Sequence, residues 1–391
     1  MLDSSIEQQD NKNKIAIVVV GYNRIKSISR LLQSLDNAQY DHNDIPLVIS
    51  IDCSGDTKLY EFVQAFEWKH GVKYVNIQGE RLGLKKHILQ CGDLTHYFRA
   101  IILLEDDIFV SEYFYQYVEK AVNYYYDDPR IGGISLYQNE MRNDYPCLFM
   151  NDGSATYLRQ EAASWGECWT DAQWEGFKTW YNEFDDSRFA DLDIPEYYKK
   201  YKKAWSKYYV AYLVDTNHYF VFPHISHTTC FGDAGEHSSN SSNIGQTNLL
   251  CGTPNYYFKP FDEMVRYDSY ATNLSIYKWL RMSKEELCVD FYCNKNNNRK
   301  CRYLLTPAIL PLKVVRSFGL TMRPMELNVK YDIDGKDLFL YDTINGEANA
   351  TSVGLPKSIA NYYLRGYNVK SAANYAFHYY LTRIKQKLGI K

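Results

Sequence analysis

Over its first hundred residues the chain alternates short, continuous apolar runs with amphipathic stretches. Ile15–Val20 is short, unbroken and rich in β-branched residues, the pattern of a strand buried on both faces. Gly21-Tyr-Asn-Arg24 interrupts it, and Ile28, Leu31, Leu32 and Leu35 then recur at helical spacing. Leu47–Ile51, Lys73–Ile77 and Ala100–Leu104 repeat the strand signal, with helices predicted near 58–70 and 84–94 between them. Strands alternating with helices predict an α/β fold: a mostly parallel sheet with helices on both faces.

In such a sheet, ligands bind beyond the carboxyl ends of the strands. Three polar clusters fall there: Tyr22–Arg24, Asp52–Asp56 and Glu105–Asp107. No GxGxxG follows the first strand and no GxxxxGK[ST] occurs, which removes the usual dinucleotide and P-loop readings. From about 130 to 260 the pattern is less regular and rich in Trp, Tyr, His and Gly. Pro195–Tyr212 reads as helical, Leu327–Tyr341 as a small hairpin, and Tyr362–Lys387 as one or two helices with a basic end.

Composition narrows the class. The 391 residues carry a net charge of −3 and are 46% hydrophobic, which excludes a largely disordered chain and disfavours a nucleic-acid binder. The length predicts two domains, or one large domain with an extension, and the weakening of the pattern beyond about 265 sets them at 14–260 and 265–391. The nine cysteines form no CxxC pair, so neither a zinc ribbon nor a thioredoxin-type site is indicated. Residues 1–14 hold no apolar signal core, and no run reaches the ~18–20 apolar residues of a bilayer span. The expected setting is cytoplasmic, with attachment to the inner membrane as an option. The 37 tyrosines fit either sugar stacking or the codon bias of an AT-rich genome.

Glu105-Asp106-Asp107, directly after five apolar residues, is the sharpest chemical feature. Such a cluster suits Mg²⁺ or Mn²⁺ bound together with substrate phosphates, or else it caps the following helix. Asp52 is placed to accept hydrogen bonds from a base or ribose, or to shape its own turn. Arg81 and Lys85 flank a flexible Gly and suit a diphosphate at a helix start. The segment Ala163–Trp174 crowds Trp165, Trp169 and Trp174 around Gly166, as a stacking platform or as core. Phe222–His237 gathers His224, His227, His237, Asp233 and Glu236 into a loop able to close over a ligand.

The order and spacing of strand-GYNR, strand-SIDCSGD, RLGLKKHI and strand-LLEDDIFVSEYF resemble GT-A (Rossmann-like) glycosyltransferases of the family 2 type. The resemblance is closest to the N-acetylglucosaminyltransferase I-like branch and covers about residues 14–240. It implies Tyr22, Asn23, Arg24 and Asp52 around the nucleotide, and Arg81 and Lys85 at the diphosphate. Glu105 and Asp106 would hold sugar and ribose, and Asp107 would ligate Mn²⁺ or Mg²⁺. Trp165, Gly166 and Trp169 would belong to the acceptor side. The implied activity is inverting transfer from a nucleotide-activated sugar, a UDP-sugar, to a saccharide or lipid-linked acceptor in bacterial surface polysaccharide synthesis.

The catalytic base departs from the family pattern, because Lys203–Tyr209 carries no acid where one is expected. Glu167 and Asp171 are the candidates, with Asp185 and Asp186 next. Two alternatives remain: a non-catalytic carbohydrate-binding or scaffolding module, and a sugar-phosphate nucleotidyltransferase, which the missing Gly-rich first loop disfavours. At the C-terminus Phe377, Tyr380, Leu381, Ile384 and Leu388 share a helical face beside Arg383, Lys385, Lys387 and Lys391. That helix either packs on the catalytic domain or lies on a membrane surface.

Overall fold

The computed structural model describes residues 6, 11–138, 141–142, 145–146, 148–162, 164–200, 204–235, 244–295, 301–345, 359, 362–363 and 368–387. The chain divides into two units: residues 1–142 with 149–274, and residues 143–148 with 275–391.

In the first unit β1 (Ile15–Gly21), β2 (Leu47–Ile51), β3 (Lys73–Ile77) and β4 (Ala100–Glu105) pair in parallel, with β1 central between β2 and β4. Every residue of β1 and β2 is buried, which is why these strands read as unbroken apolar runs. Between them α1 (Ile25–Asp36) turns Ile28, Leu31, Leu32 and Leu35 inward. α2 (Thr57–Ala65) starts at Asp56, whose Oδ1 accepts from the N–H of Lys58 and Leu59 at 3.1 and 3.2 Å. α3 (Leu84–Gly92) follows β3. The predicted α/β class, with its parallel run, is what the chain forms.

The sheet extends beyond β4 by strands not foreseen. After β5 (Ile108–Val110), α4 (Phe114–Tyr125) and β6 (Ile131–Ser135) come β7 (Thr156–Arg159), β8 (Glu167–Thr170), β9 (Tyr219–Pro223), β10 (Thr228–Cys230) and β11 (Arg266–Tyr267). The nine-stranded order is β11-β7-β9-β6-β8-β4-β1-β2-β3. β8 runs antiparallel to both neighbours, with Glu167 opposite Leu103 of β4 and Ser135 of β6. β5 and β10 form a separate two-stranded pair.

α5 (Asp171–Glu183) leaves β8 through a capping box of Thr170 and Gln173. Its Trp174 ring lies so close to Gly92 that a Cβ there would approach within 2.0 Å. The helix expected over Pro195–Tyr212 is instead two, α6 (Glu196–Lys200) and α7 (Ser206–Asp215).

The second unit holds α8 (Ser275–Leu280) and a sheet of order β12 (Leu287–Val289), β13 (Tyr303–Thr306), β15 (Leu338–Asp342) and β14 (Lys313–Phe318). Ile276, Leu287, Leu305, Phe318 and Leu340 belong to its core. The hairpin expected over Leu327–Tyr341 is a short helix, α9 (Leu327–Lys330), followed by one strand that pairs with β13 and β14. In α10 (Val369–Lys387), Phe377, Tyr380 and Ile384 are exposed, and so are Tyr375 and Tyr379; Leu388 lies outside the described residues. No helix among the described residues is long and apolar enough to cross a membrane.

Candidate functional site

A cleft of about 970 Å³ opens at the carboxyl ends of β1, β2 and β4. Its lining brings together Tyr22, Asn23, Arg24, Asp52, Arg81, Lys85, Glu105, Asp106, Asp107 and Trp165. Residues from three strand ends therefore meet at one place, as a parallel sheet requires.

Asp52 shapes the cleft floor. Its Oδ1 accepts from the N–H of Cys53 at 2.9 Å and of Leu82 at 2.8 Å, and its Oδ2 accepts from that of Gly83 at 2.9 Å. Gly83 sits at φ 74°, a conformation that favours glycine, immediately before α3. The carboxylate thus fixes the Arg81–Gly83 loop and the start of the helix. Arg81 lies 4.8 Å from the Tyr22 ring centre, and the Lys85 ammonium 4.2 Å from that of Tyr208 and 5.4 Å from that of Tyr181. Burial opposes the Lys85 charge, but the Tyr181 and Tyr208 hydroxyls raise its pKa above the ordinary lysine value.

Arg24 is tied into the acidic cluster. Its Nε donates to Asp106 Oδ2 at 3.3 Å, its Nη2 to Asp106 Oδ1, and its Nη1 to Asp107 Oδ2 at 3.1 Å. Nη1 also donates to the carbonyl of Asp233 at 3.1 Å. Asp233 is further held by the Ser27 hydroxyl at 2.7 Å and by Arg30, whose guanidinium lies 3.7 Å from the Phe231 ring centre. Burial opposes the Arg24 charge and the two carboxylates more than offset it, so its pKa rises. Burial pushes Asp106 up to about 6 against the pull of Arg24. Glu105 is pushed up to about 8 by burial and by Asp107 and Asp106.

This donor set does not fit a divalent cation held by protein groups alone. Both Asp106 oxygens and one Asp107 oxygen already accept from Arg24. Among the described residues, no group of three or more His, Cys, Asp or Glu is placed to hold a metal ion. Asp107 lies in the cleft as the sequence suggested, but it faces a guanidinium.

The acceptor-side residues separate. Trp165 lines the cleft, with its ring centre 4.7 Å from that of Tyr137. Gly166, at φ 110°, passes so close to Thr228 that a Cβ would come within 2.9 Å of its methyl group. Trp169 is fully buried, 5.0 Å from Trp174 and 5.6 Å from Tyr209 between ring centres. It is core, because the side of the sheet it faces is covered by aromatic side chains of α5 and α7.

The candidate bases separate too. Glu167 is buried in β8, and neither of its carboxyl oxygens has a hydrogen-bond partner among the described residues. Burial and the neighbouring Glu105 hold its pKa well above the ordinary range. Asp171 is not brought to the cleft. Thr170 pairs with Ala100 at the opposite end of β4, so Asp171 emerges on the far edge, beside His96 at 3.2 Å. Asp185 caps a turn through the Ser187 N–H, and Asp186 accepts from the Tyr208 hydroxyl at 3.1 Å.

His224 and His227 are structural. His227 stacks on Tyr117 at 4.3 Å, contacts the Ser111 hydroxyl at 3.2 Å, and burial lowers its pKa to about 3. Burial lowers His224 to about 4. Glu236 and His237 lie outside the described residues. Sequence reasoning missed His87, which lines the cleft and contacts the Ser50 hydroxyl at 2.7 Å. It also missed Arg30 and Tyr181, which local spacing does not distinguish from ordinary helix residues.

No protein-family model and no curated protein matches the chain. Among solved structures it is similar to TarS 1-349 of S. aureus in complex with UDP-GlcNAc, at 15% identity over 57% of this chain and 60% of that one, with a TM-score of 0.38. It is similar to TarS 1-349 without a named ligand at 14% identity over 55% and 59%, also with a TM-score of 0.38. A third similar structure is the mannosyltransferase PcManGT of Pyrobaculum calidifontis in complex with GDP-Man and Mn²⁺, at 14% identity over 43% and 46%, with a TM-score of 0.31. The chain thus spans less than two thirds of each of these structures.

Proposed function

We propose that the chain is a glycosyltransferase of GT-A type that takes a nucleotide-activated sugar, a UDP-linked hexose or N-acetylhexosamine, as donor. One observation carries this reading. The cleft sets the cations Arg81 and Lys85 and the start of α3 against an acidic strand end, with the Trp165 ring on its wall. A nucleoside diphosphate finds cations and helix N–H groups on one side. A sugar finds carboxyl acceptors and an aromatic face on the other.

In the proposed inverting reaction an acceptor hydroxyl oxygen bonds to the anomeric carbon as the bond to the diphosphate oxygen breaks. The nucleoside diphosphate leaves with that electron pair, and the hydroxyl proton passes to a carboxylate. Glu167 is the retained candidate for that carboxylate and would serve in its ionised form, above its raised pKa; Asp171 is set aside. Arg81 and Lys85 stabilise the negative charge that builds on the departing diphosphate. The domain expected over 14–260, whose sheet runs on to β11, would perform the transfer to a saccharide or lipid-linked acceptor in bacterial surface polysaccharide synthesis, with the residues from 275 onward as its extension.

Nucleoside diphosphate release from a panel of nucleotide sugars, measured with the full chain and saccharide acceptors, tests the reading. Acceptor-dependent release supports it. Tight donor binding without release under any condition favours a carbohydrate-binding module instead. That second reading is motivated by the burial of Glu167 and the remoteness of Asp171.

A further inference from the structure

We propose that Arg24 is the built-in cation of the donor site. Held between Asp106 and Asp107, its guanidinium does for the nucleoside diphosphate what a bound divalent ion would do, and nucleotide binding is independent of metal. The inference rests on the nucleotide-sugar reading of the cleft.

The first support is the occupancy of the carboxylates. Arg24 engages Asp106 through two nitrogens and Asp107 through a third contact, with side-chain exposures of only 22% for Arg24, 6% for Asp106 and 14% for Asp107. A divalent ion at Asp107 would have to compete with this fork. Each carboxylate it took would leave a half-buried guanidinium without its partner, which is costly. The fork also suits a planar carboxylate in a way that an ammonium would not.

The second support is what Arg24 has left to give. A guanidinium carries five N–H donors. Nε gives its one to Asp106, Nη1 gives both of its own to Asp107 and the Asp233 carbonyl, and Nη2 gives one to Asp106. One N–H of Nη2 is left without a partner among the described residues. Arg24 lines the same cleft as Arg81 and Lys85, so that N–H is the group it offers to phosphate oxygens from the acidic side, its charge being balanced by the two carboxylates.

The third support is the link to the Asp233 carbonyl. A Cβ at Gly235 would lie 3.3 Å from Arg24 Nη1, so the loop over the acidic turn is packed against the guanidinium itself. A metal that expelled Arg24 would also undo this loop. The loop is built around the arginine.

Two measurements on the full chain test this. Paramagnetic resonance of Mn²⁺ is expected to show no ion bound by the wild type, whereas Arg24→Gln, with its carboxylates released, binds Mn²⁺. Calorimetry with UDP is expected to give the wild type the same affinity in EDTA as in Mn²⁺. Arg24→Gln should lose roughly tenfold or more in EDTA, the worth of a charged hydrogen bond, and recover part of it with Mn²⁺. Mn²⁺ bound by the wild type, or UDP affinity that collapses in EDTA, overturns the proposal. If Arg24→Gln does not fold, the two wild-type measurements decide alone, and Arg24→Lys repeats the comparison with charge kept and the fork lost. Should no nucleotide bind with or without metal, the glycosyltransferase reading falls, and the resonance comparison still tells whether Arg24 bars the ion.

Discussion

The Asp52 carboxylate accepts a hydrogen bond from the backbone N–H of Gly83 at 2.9 Å, across 31 residues of chain. The strand end of β2 and the helix start of α3 are therefore one mechanical piece.

Asp52→Ala is expected to weaken UDP binding with or without added metal, because the loop carrying Arg81 and the approach to Lys85 lose their anchor. Charge-assisted hydrogen bonds of this kind contribute about 1.5–3 kcal/mol. The distinguishing readout is amide exchange at Leu82 and Gly83, which should accelerate in the variant. Unchanged exchange together with lowered affinity would mean that Asp52 meets the nucleotide directly.

Trp169→Ala should act on the fold rather than on acceptor affinity. Removing a fully buried tryptophan from the cluster of Trp174 and Tyr209 costs about 3–5 kcal/mol. Gly92→Ala should also destabilise, by about 1–3 kcal/mol, since its methyl would press on the Trp174 ring. Urea unfolding of both variants checks this. Wild-type midpoints would show that the aromatic cluster is loosely packed.

Buried histidines make the protein sensitive to mild acid. The His227 pKa is lowered from 6.5 to about 3, so between those values the unfolded chain binds more protons than the folded one. Stability is then full above about pH 6.5 and is lost as pH falls toward 3. This one group accounts for about 2 kcal/mol at pH 5. His87, lowered to about 4, acts in the same direction. His227→Gln should show a smaller fall in urea midpoint between pH 7 and pH 5 than the wild type, and equal falls would remove His227 as the cause.

The exposed aromatic side chains of α10 lie beside Lys370, Arg383 and Lys385 with no acid in the helix. Each basic group near an anionic bilayer contributes about 1 kcal/mol. The full chain is expected to sediment with anionic liposomes, and a chain ending at Ala373 is not. Equal behaviour of the two would remove the membrane contact.

Much of this was readable in advance because it is local. The apolar runs of β1 to β4 and the acids after Leu104 follow from spacing, and parallel topology then places their ends together. What stayed hidden depends on pairings far apart in sequence. The entry of β8 between β4 and β6 reverses one strand direction, and that reversal put Glu167 toward the cleft end and Asp171 at the far edge. Trp165 and Trp169 look alike as letters, yet one lines the cleft and the other is sealed in the core. The contact of Arg24 with Asp106 spans 82 residues, and no local pattern announces it.

The pairing of β5 with β10 also bears on how the molecule is assembled. It joins Ser111 to His227 over a sequence separation of 116 residues, and non-local pairings of this kind raise contact order and slow folding. β1 to β4 come from the first 105 residues and can associate early. The roof carrying Phe231 and Asp233 joins them only once the chain beyond residue 228 is available. During synthesis the acidic turn therefore exists for a time with its arginine but without its cover, and nascent chains halted before that point should bind nucleotide weakly.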